Sequence, residues 1–322
     1  MKLGVFAVLF QDKSFEEALD YVAELGIEAV ELGTGNYPGN QFADPDTLLG
    51  NKEAQQKLKK AIADRGLVIS ALSQHGEPLH PDPEIAKKSH ETWRKTLELA
   101  EELEVPIVNG FSGCPGGGPD DRTPNWITVA WPPHFVESLE WQWNEVAIPY
   151  WQREHEEAVK RGVKIAFEAH PGMLVYNPAT LLRLREACGP NIGCNFDPSH
   201  FVWQGIEPIE AIRELGKAGA IFHAHAKDIW LDKPNIAVNG VLDTKSYTEI
   251  PDRSWTFRTC GYGHGEHYWR EIVSALRLYG YDHVLSIEHE DGLMSPGEGL
   301  SKAVKVLNPI LINEPAGEMY WA

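Results

Sequence analysis

Eight short apolar segments recur along the chain, and each is followed by a stretch in which apolar residues repeat every three or four positions. The apolar segments have the length of buried strands, and the stretches between them have helical periodicity. The first four predicted strands are residues 3–10, 28–33, 67–73 and 106–111. The other four begin at Lys164, Ile192, Ala220 and His283. The pattern therefore alternates strands and helices along the chain.

Eight strand–helix units of this kind predict an α/β protein of the (β/α)₈ TIM-barrel class. Alternating strands and helices form parallel sheets, and such a barrel typically needs about 250 residues. A doubly wound open sheet shows the same alternation, and the count of eight units favours the closed barrel. We predict a single domain over residues 1–322, with the barrel at about 3–311 and a tail at 312–322.

Helix ends and long loops are also visible in the pattern. Ser14 is a good N-cap for the first helix, whose apolar stripe runs to Gly26. One longer helix is predicted from about residue 137 to residue 161, with a break at Pro149 as the alternative. Two long segments, 114–133 and 229–265, follow strands four and seven. Loops of this length are usually lids or binding loops.

Charged and imidazole side chains end the last four predicted strands. They are Glu168, Asp197, His225 and Glu288. The carboxyl ends of barrel strands converge on one face, where barrels of this type keep their chemistry. Buried carboxylates without partners are costly, so four such strand ends in succession predict a metal site. Three carboxylates and one imidazole suit Mn²⁺ or Mg²⁺, with Co²⁺ or Zn²⁺ as alternatives.

Further polar residues near these strand ends are candidate substrate contacts, and each has a structural alternative such as a core hydrogen bond or an ion pair. They are His75, Asn109, His170, His200, Lys227 and Asp228. His200 lies three residues past Asp197, so it either contacts the substrate or orients that ligand. His223 lies one layer deeper than His225 and is predicted to be a hydrogen-bonded core histidine. Trp131, in the first long loop, is a candidate wall for the face of a sugar.

The composition narrows the range of partners. Lys+Arg 29 against Asp+Glu 47 gives a formal charge of -18, which repels phosphate backbones and disfavours nucleic acid. A metal dication and a neutral carbohydrate are compatible with that charge. The four cysteines show no CxxC spacing, which suits a reducing cytoplasm. No apolar run reaches the roughly 18 residues of a membrane span, so no membrane partner is predicted.

The chain resembles the sugar-phosphate isomerase/epimerase family, the xylose-isomerase-like TIM barrels that include ketose 3-epimerases and inosose dehydratases. The resemblance covers about residues 3–311. It rests on the four strand-end residues and on three motifs: Asp197-Pro-Ser-His200, His223-Ala-His225-Ala-Lys227-Asp228 and Gly263-His-Gly265 with Trp269. It implies one divalent metal, most often Mn²⁺, bound by Glu168, Asp197, His225 and Glu288. Apart from the resemblance, the apolar, aromatic tail at Met319, Tyr320 and Trp321 suits a subunit contact, so a homo-oligomer is predicted.

The family resemblance implies a chemistry for the two glutamates. Glu168 and Glu288 would be both metal ligands and acid/base groups on opposite faces of a bound ketose. The metal would chelate the substrate oxygens and stabilise the enediolate that forms when a proton leaves the carbon next to the carbonyl. Return of the proton on the other face gives epimerisation. Loss of a leaving group β to the carbonyl would make the same site a lyase or dehydratase.

One departure from the family keeps the reaction open. Ketose 3-epimerases place a substrate-binding Arg six residues past the strand-7 His, where this chain has Leu231. Arg253 and Arg258, both in the second long segment, are the candidates to replace it. The change leaves room for bulkier substrates such as 3-oxo sugars and 3-oxo-glycosides, or for a non-catalytic sugar-binding barrel with a structural metal. The endonuclease IV branch is disfavoured, because it needs three zinc ions, a strand-4 His where Asn109 stands, and a basic groove.

Overall fold

The computed structural model describes residues 1–321, so the last tail residue, Ala322, lies outside the described part. Within it the chain forms ten strands: β1 (Lys2–Phe6), β2 (Ala29–Gly33), β3 (Val68–Ser73), β4 (Ile107–Gly110), β5 (Lys164–Glu168), β6 (Ile192–Phe196), β7 (Ile221–Ala226), β8 (Asp228–Leu231), β9 (Trp255–Arg258) and β10 (Val284–Ile287). All except β8 and β9 form one closed barrel of parallel strands, in which β10 pairs with both β7 and β1. The predicted (β/α)₈ fold class is confirmed.

Helices follow the barrel strands and cover the barrel. The α-helices of the described residues are α1 (Phe15–Glu24), α2 (Pro45–Leu48), α3 (Lys52–Ala63), α4 (Pro83–Leu103), α5 (Pro133–Trp141), α6 (Ile148–Lys160), α7 (Pro178–Cys188), α8 (Pro198–Val202), α9 (Pro208–Lys217), α10 (Lys233–Asn239), α11 (Glu266–Leu278) and α12 (Pro296–Leu307). Their apolar stripes bury leucines, isoleucines and tryptophans against the outside of the barrel. Among residues 1–321, none of the helices has the length and apolar character that a membrane crossing requires.

Two predicted elements differ from the observed ones. The first strand ends at Phe6, because the chain turns there into a 3₁₀ segment, Ala7–Leu9, instead of continuing to Phe10. The long fourth helix is interrupted by a π-helical stretch, Gln142–Ala147, and resumes as α6. Pro149 has no N–H for the preceding turn and its ring crowds the carbonyl four residues earlier. Wider π turns accommodate such a site, so the break lies just before the proline.

The segment after β7 was predicted as a long loop, but it contains regular structure. Strands β8 and β9 pair in antiparallel fashion, with Asp228 opposite Arg258, and α10 lies between them. The rings of Trp203 and Trp255 stack with centroids 4.8 Å apart and planes inclined by 12°. This stack fastens the hairpin to the turn after α8. The segment therefore forms a rigid wall above the barrel mouth.

A buried carboxylate in α6 joins two helices outside the barrel. Glu154 is 1% exposed, and its Oε2 accepts a hydrogen bond of 2.9 Å from Nε1 of Trp93 in α4. The Arg94 guanidinium contacts the same carboxylate. Trp93 packs edge-on against Trp151, with ring centroids 5.3 Å apart. Glu154 is thus a structural buried acid that lies apart from the barrel mouth.

We predict that Ser14→Ala lowers the free energy of unfolding by about 1 kcal/mol. Ser14 and Glu17 form a capping box at the start of α1, and the substitution removes the hydroxyl that accepts a hydrogen bond from the Glu17 N–H. The matched control is Ser274→Ala, because Ser274 is an exposed serine whose hydroxyl bonds the Arg270 carbonyl inside α11. Urea unfolding followed by circular dichroism measures both. Equal effects of the two substitutions would show that the cap contributes nothing.

Candidate metal centre

Four neighbouring strands of the barrel bring the predicted ligands together. Around the barrel the order is β10, β7, β6, β5, and these strands end in or next to Glu288, His225, Asp197 and Glu168. All four residues are buried, and each offers one ligand atom such that these atoms lie within 4.8 Å of one another. Parallel pairing places the carboxyl ends of the strands at one mouth of the barrel. The predicted cluster is therefore present as a compact group.

The atoms of this group face one another closely. Nδ1 of His225 lies 3.0 Å from Oε2 of Glu288 and 3.4 Å from Oε2 of Glu168. Oδ1 of Asp197 accepts a hydrogen bond of 2.9 Å from the Ser199 N–H at the start of α8. Its Oδ2 is buried and makes no hydrogen bond of good geometry within residues 1–321, although a charged side chain lies close to it. The donor set is thus three carboxylates and one ring nitrogen, converging on one point.

An ammonium group lies beside the cluster. Nζ of Lys227 is 2.8 Å from Oε2 of Glu288, 3.0 Å from Oδ2 of Asp197 and 3.1 Å from Oε2 of Glu290. Lys227 is only 2% exposed. Burial by itself lowers the pKa of Lys227, but the surrounding carboxylates raise it well above its usual value. Lys227 is therefore a fixed internal cation.

Glu31 is a functional residue that the sequence analysis missed. It is fully buried, and its carboxylate accepts hydrogen bonds from Ser73 Oγ (2.5 Å), Asn109 Nδ2 (2.9 Å) and Ser286 Oγ (2.7 Å). Its Oε2 lies 3.0 Å from Nε2 of His225. A carboxylate behind a metal-ligand histidine fixes the ring and its tautomer. Glu31 therefore turns Nδ1 of His225 toward the ligand cluster. The sequence did contain a signal that could have identified Glu31, because it is an acidic residue inside the otherwise apolar strand β2.

A second layer of polar groups lies below this pair. His223 is fully buried, and its Nδ1 is 3.0 Å from Oδ1 of Asn195 while its Nε2 is 3.2 Å from Ser70 Oγ. Burial lowers its pKa to about 3, so the ring is neutral. His223 is the hydrogen-bonded core histidine that was predicted. Asn109 also belongs to this layer, because it is fully buried and bonds Glu31 and His223.

The charge of the site provides a test of whether a cation fits. The cationic groups of the site are Lys227 and the His225 ring. They face the carboxylates of five residues: Glu31, Glu168, Asp197, Glu288 and Glu290. Burial lowers the pKa of His225, but Glu31 and Glu288 raise it well above its usual value. Negative charge still exceeds positive charge in a buried space, which is costly. A divalent cation held by the four-residue cluster would relieve that excess, and the donors present fit such an ion.

A cavity of about 510 Å³ opens directly above the cluster. Its aromatic walls are Tyr37, Phe111, Tyr247 and Phe257, and its polar lining includes His75, Glu77, Glu168, His170, Lys227, Thr256, Glu288 and Glu290. This volume lies within the usual range for small-molecule sites. Both candidate acid/base residues, Glu168 and Glu288, are therefore accessible to a molecule in the cavity.

The predicted substrate contacts divide into two groups. His75, His170 and Lys227 line the cavity, and His200 lies beside it with Nε2 2.9 Å from Oε1 of Glu168. The other four predicted contacts do not line the cavity: Asn109, Trp131, Asp228 and Arg258. Asn109 lies below the floor, as described. The Trp131 side chain is 77% exposed to solvent, and Nε of Arg258 pairs with Oδ2 of Asp291 at 3.1 Å.

Asp228 does not line the cavity either, because its carboxylate holds a loop. Its two oxygens accept hydrogen bonds from the N–H groups of Gly261, Gly263 and His264, at 2.9–3.2 Å. The His264 ring lies 2.8 Å away, and Nε1 of Trp269 donates at 3.3 Å. A β-carbon on Gly263 would lie 2.1 Å from the Ile229 carbonyl oxygen, so only glycine fits there. The sequence motif around Gly263 therefore serves the loop that leads into α11.

Tyr37 and Glu290 are among the cavity-wall residues that were not predicted. The Tyr37 hydroxyl donates a hydrogen bond of 2.6 Å to Oε1 of Glu290, whose other oxygen contacts Lys227. Burial raises the pKa of Glu290, but Lys227 and Tyr37 lower it to about 2. Glu290 follows Glu288 by two positions, on the same side of the extended chain, and that spacing was an available signal. Tyr37 lies in a loop and carried no such signal.

The family of the chain follows from a comparison with known proteins. A family model described as xylose isomerase-like TIM barrel matches residues 19–310. The chain belongs to the xylose isomerase-like TIM barrel family. An uncharacterized protein, YfiH of Bacillus subtilis (strain 168), is 42% identical over 310 residues, which are 95% of this chain and 98% of that protein.

Several solved structures share the xylose isomerase-like fold. The probable 3-DHS dehydratase AsbF of Bacillus anthracis has a TM-score of 0.65 and 18% identity, covering 96% of this chain and 99% of that one. D-psicose 3-epimerase of Clostridium cellulolyticum H10, with D-tagatose, has a TM-score of 0.61 and 14% identity, covering 97% and 99%. The IOLI protein with a zinc atom has a TM-score of 0.64 and 18% identity, covering 97% and 99%. At these identities the likeness shows the fold alone.

We predict that Glu31→Gln weakens binding of a divalent metal about 10–100-fold, because the His225 ring loses the carboxylate that orients it. The measurement is calorimetric titration of the metal-stripped protein with Mn²⁺. The matched control is Glu154→Gln, which changes a carboxylate that is equally buried but lies outside the barrel. It is expected to lower stability and leave the metal affinity unchanged. Unchanged affinity in Glu31→Gln would rule out the orienting role.

Proposed function

We propose that this protein is a divalent-metal-dependent sugar isomerase or epimerase that transfers a proton next to a carbonyl group. The observation that carries the proposal is the position of Glu168 and Glu288. Both belong to the four-residue ligand cluster and both line the cavity. Strands β6 and β7 lie between β5 and β10, so the two carboxylates enter the site from different sides. Proton removal by one and return by the other inverts a carbon between them.

The metal that we propose for the cluster is Mn²⁺, since three carboxylates and one imidazole form an oxygen-rich donor set. Mg²⁺, Co²⁺ and Zn²⁺ are the alternatives. Glu168, Asp197, His225 and Glu288 would hold it. When bound, the ion supplies positive charge that stabilises an enediolate in the substrate.

The other residues have defined tasks in this proposal. His225 and Lys227 both contact Oε2 of Glu288, which leaves its Oε1 for the substrate proton. The Lys227 ammonium, 2.8 Å from that Oε2, holds the carboxylate in position. His75 lies 3.1 Å from Oε2 of Glu168 and faces the cavity, where it can hydrogen-bond a substrate hydroxyl. Phe111 and Phe257 present apolar surface to the carbon face of a sugar ring.

Elimination from a 3-oxo sugar or 3-oxo-glycoside is the second candidate function. It is favoured by the lack of an arginine at position 231, where ketose 3-epimerases have one that binds the substrate. Leu231 lies in β8 opposite Trp255, and Asp291 holds Arg258. Of the described residues that line the cavity, none is an arginine. The cavity therefore lacks the contact that ketose 3-epimerases use. A bulkier substrate with a leaving group β to the carbonyl would need only one of the two carboxylates as a base.

Three further features belong to the proposal. We expect the partner to be a small carbohydrate, the protein to work in the cytoplasm, and copies of the chain to associate. The tail presents Tyr320 and Trp321, which are 93% and 73% exposed, as apolar surface for such an association. The alternative is a non-catalytic sugar-binding barrel with a structural metal, in which Glu168 and Glu288 do not transfer protons to or from a substrate.

We predict that the metal-loaded protein exchanges solvent deuterium into the carbon next to the carbonyl of a ketose or a 3-oxo-glycoside. Glu168→Gln and Glu288→Gln should each lower the exchange or epimerisation rate about 100-fold or more, because each removes one acid/base group. Glu154→Gln is the matched control and should retain the wild-type rate. Mass spectrometry of substrate recovered from D₂O measures the exchange.

The products distinguish the candidate functions. A recovered epimer supports the isomerase or epimerase, whereas release of water or an aglycone assigns the site to a lyase. If sugars bind to the metal-loaded protein but none exchanges or breaks down, the catalytic proposal fails and the binding barrel remains.

A further inference from the structure

A side pocket adjoins the cavity above the ligand cluster. It has a volume of about 270 Å³, and it is lined by Trp230, Ile250, Thr256, Arg258, Tyr262 and Leu293. Thr256 lines the cavity as well, and the cavity-lining Gly292 directly precedes Leu293 in the chain. The two spaces therefore meet at these points, and a molecule longer than one sugar ring can occupy both.

The β8–β9 hairpin forms one wall of the side pocket. Trp230 in β8 lies opposite Thr256 in β9. Residues directly opposite in an antiparallel pair present their side chains on one face, and Arg258, two positions after Thr256, shares that face. The stack of Trp203 on Trp255 fastens this hairpin. The wall is therefore rigid, and its groups are fixed relative to the cavity.

The Thr256 hydroxyl group lacks a partner. The residue is 5% exposed, and its Oγ1 makes no hydrogen bond within residues 1–321. A buried hydroxyl without a partner costs free energy. Because Thr256 lines both spaces, a ligand that lies across them can supply the missing hydrogen bond. The unpaired group thus points to a ligand with polar groups of its own.

Aromatic surface in the side pocket is only partly covered. Trp230 and Tyr262 are each 42% exposed. Aromatic faces pack well against apolar groups, and the C–H groups on one face of a sugar ring are of this kind. The hydroxyl groups of such a ring project from its edge. The surface therefore suits a ring with one apolar face and a polar edge.

Arg258 adds hydrogen-bond donors to this surface without adding net charge. Its Nε lies 3.1 Å from Oδ2 of Asp291, whose side chain is fully buried. A guanidinium has five N–H donors, so this pairing leaves others for a ligand. Asp291 neutralises the positive charge, which disfavours a phosphate or carboxylate occupant. A purely aromatic occupant would leave the polar groups of Arg258 and Thr256 unpaired. A neutral, hydroxylated group satisfies both conditions.

We infer that the side pocket binds a second sugar ring, so that the substrate is a two-ring glycoside and not a single ketose. This inference rests on the proposed function and narrows its substrate class. The reacting sugar lies in the cavity above the ligand cluster, and the second ring lies on Trp230 and Tyr262. Its hydroxyl groups bond Arg258 and Thr256. The inference concerns binding, so it holds for epimerisation and for elimination alike.

The test is calorimetric titration of the Mn²⁺-loaded protein with disaccharide alditols and with their parent hexitols. Maltitol, lactitol and isomalt each join an intact pyranose ring to a hexitol, and sorbitol and mannitol are the hexitols alone. These compounds lack the carbonyl group, so no reaction disturbs the titration. At least one disaccharide alditol should bind about 10-fold more tightly than its hexitol, because the second ring packs on aromatic surface.

Variants of the side pocket should remove this gain. Trp230→Ala should abolish most of it and leave the hexitol affinity unchanged, because Trp230 lines the side pocket but not the cavity. Thr256→Val keeps the shape of the side chain, removes the hydroxyl and should reduce the gain about 3–10-fold. The matched control is Val238→Ala in α10 of the same segment, since Val238 is 83% exposed and lines neither space. Far-UV circular dichroism confirms that each variant is folded.

A second readout locates the second ring directly. With fluorotryptophan incorporated, the resonance of Trp230 is identified by its absence in Trp230→Phe. That fluorine resonance should shift when a disaccharide alditol binds and stay in place when sorbitol binds.

The possible outcomes separate the two proposals. If no disaccharide alditol binds more tightly than its hexitol, or if the gain persists in Trp230→Ala, the second-ring site is overturned and the proposed function stands. If phenyl glucoside shifts the Trp230 resonance and the disaccharide alditols do not, the pocket binds an aromatic group and the second sugar ring is overturned. If the gain is present but no sugar exchanges deuterium or breaks down, the second-ring site is supported and the proposed catalytic function fails.

Discussion

The concentration of carboxylates at one mouth of a closed barrel is the constraint on which the rest of this structure depends. Charged groups lose their hydration when they are buried, and they are stable there only with opposite charges and hydrogen bonds. Lys227 and the His225 ring supply part of that compensation, and the divalent cation that we propose would supply the remainder. The cavity, the orientation of the side chains and the proposed chemistry all follow from that arrangement of charge.

Structure below and above the cluster keeps it in place. Below, Glu31 accepts hydrogen bonds from serine and asparagine side chains on neighbouring strands and directs His225 upward. Above, Asp228 gathers the N–H groups of the glycine-rich loop, and the Trp203–Trp255 stack fastens the hairpin. Neither Glu31 nor Asp228 lines the cavity. Both reduce the freedom of the residues that do, which preorganises the site.

Membership of the xylose isomerase-like family leaves the reaction open for a structural reason. The ligand cluster lies on barrel strands, whose positions the fold sets. Much of the cavity wall lies on segments outside the barrel: Tyr37 follows β2, Tyr247 precedes β9, and Phe257 belongs to β9. Loops vary more readily than the strands they connect. The proposed metal site and the walls that would contact a substrate therefore depend on different parts of the chain.

The sequence by itself determined the eight strand–helix units and the four residues of the ligand cluster, because periodicity and strand-end position are local properties. It did not determine the partners of Glu31, the short contact between His200 and Glu168, or the placement of Asp228 and Asn109 away from the cavity. Each of these depends on residues far apart in the chain; Glu31 and His225, for example, meet across 194 positions. Only closure of the barrel brings such groups within hydrogen-bond distance. The tertiary structure thus decided which polar residues face the cavity and which support it from behind.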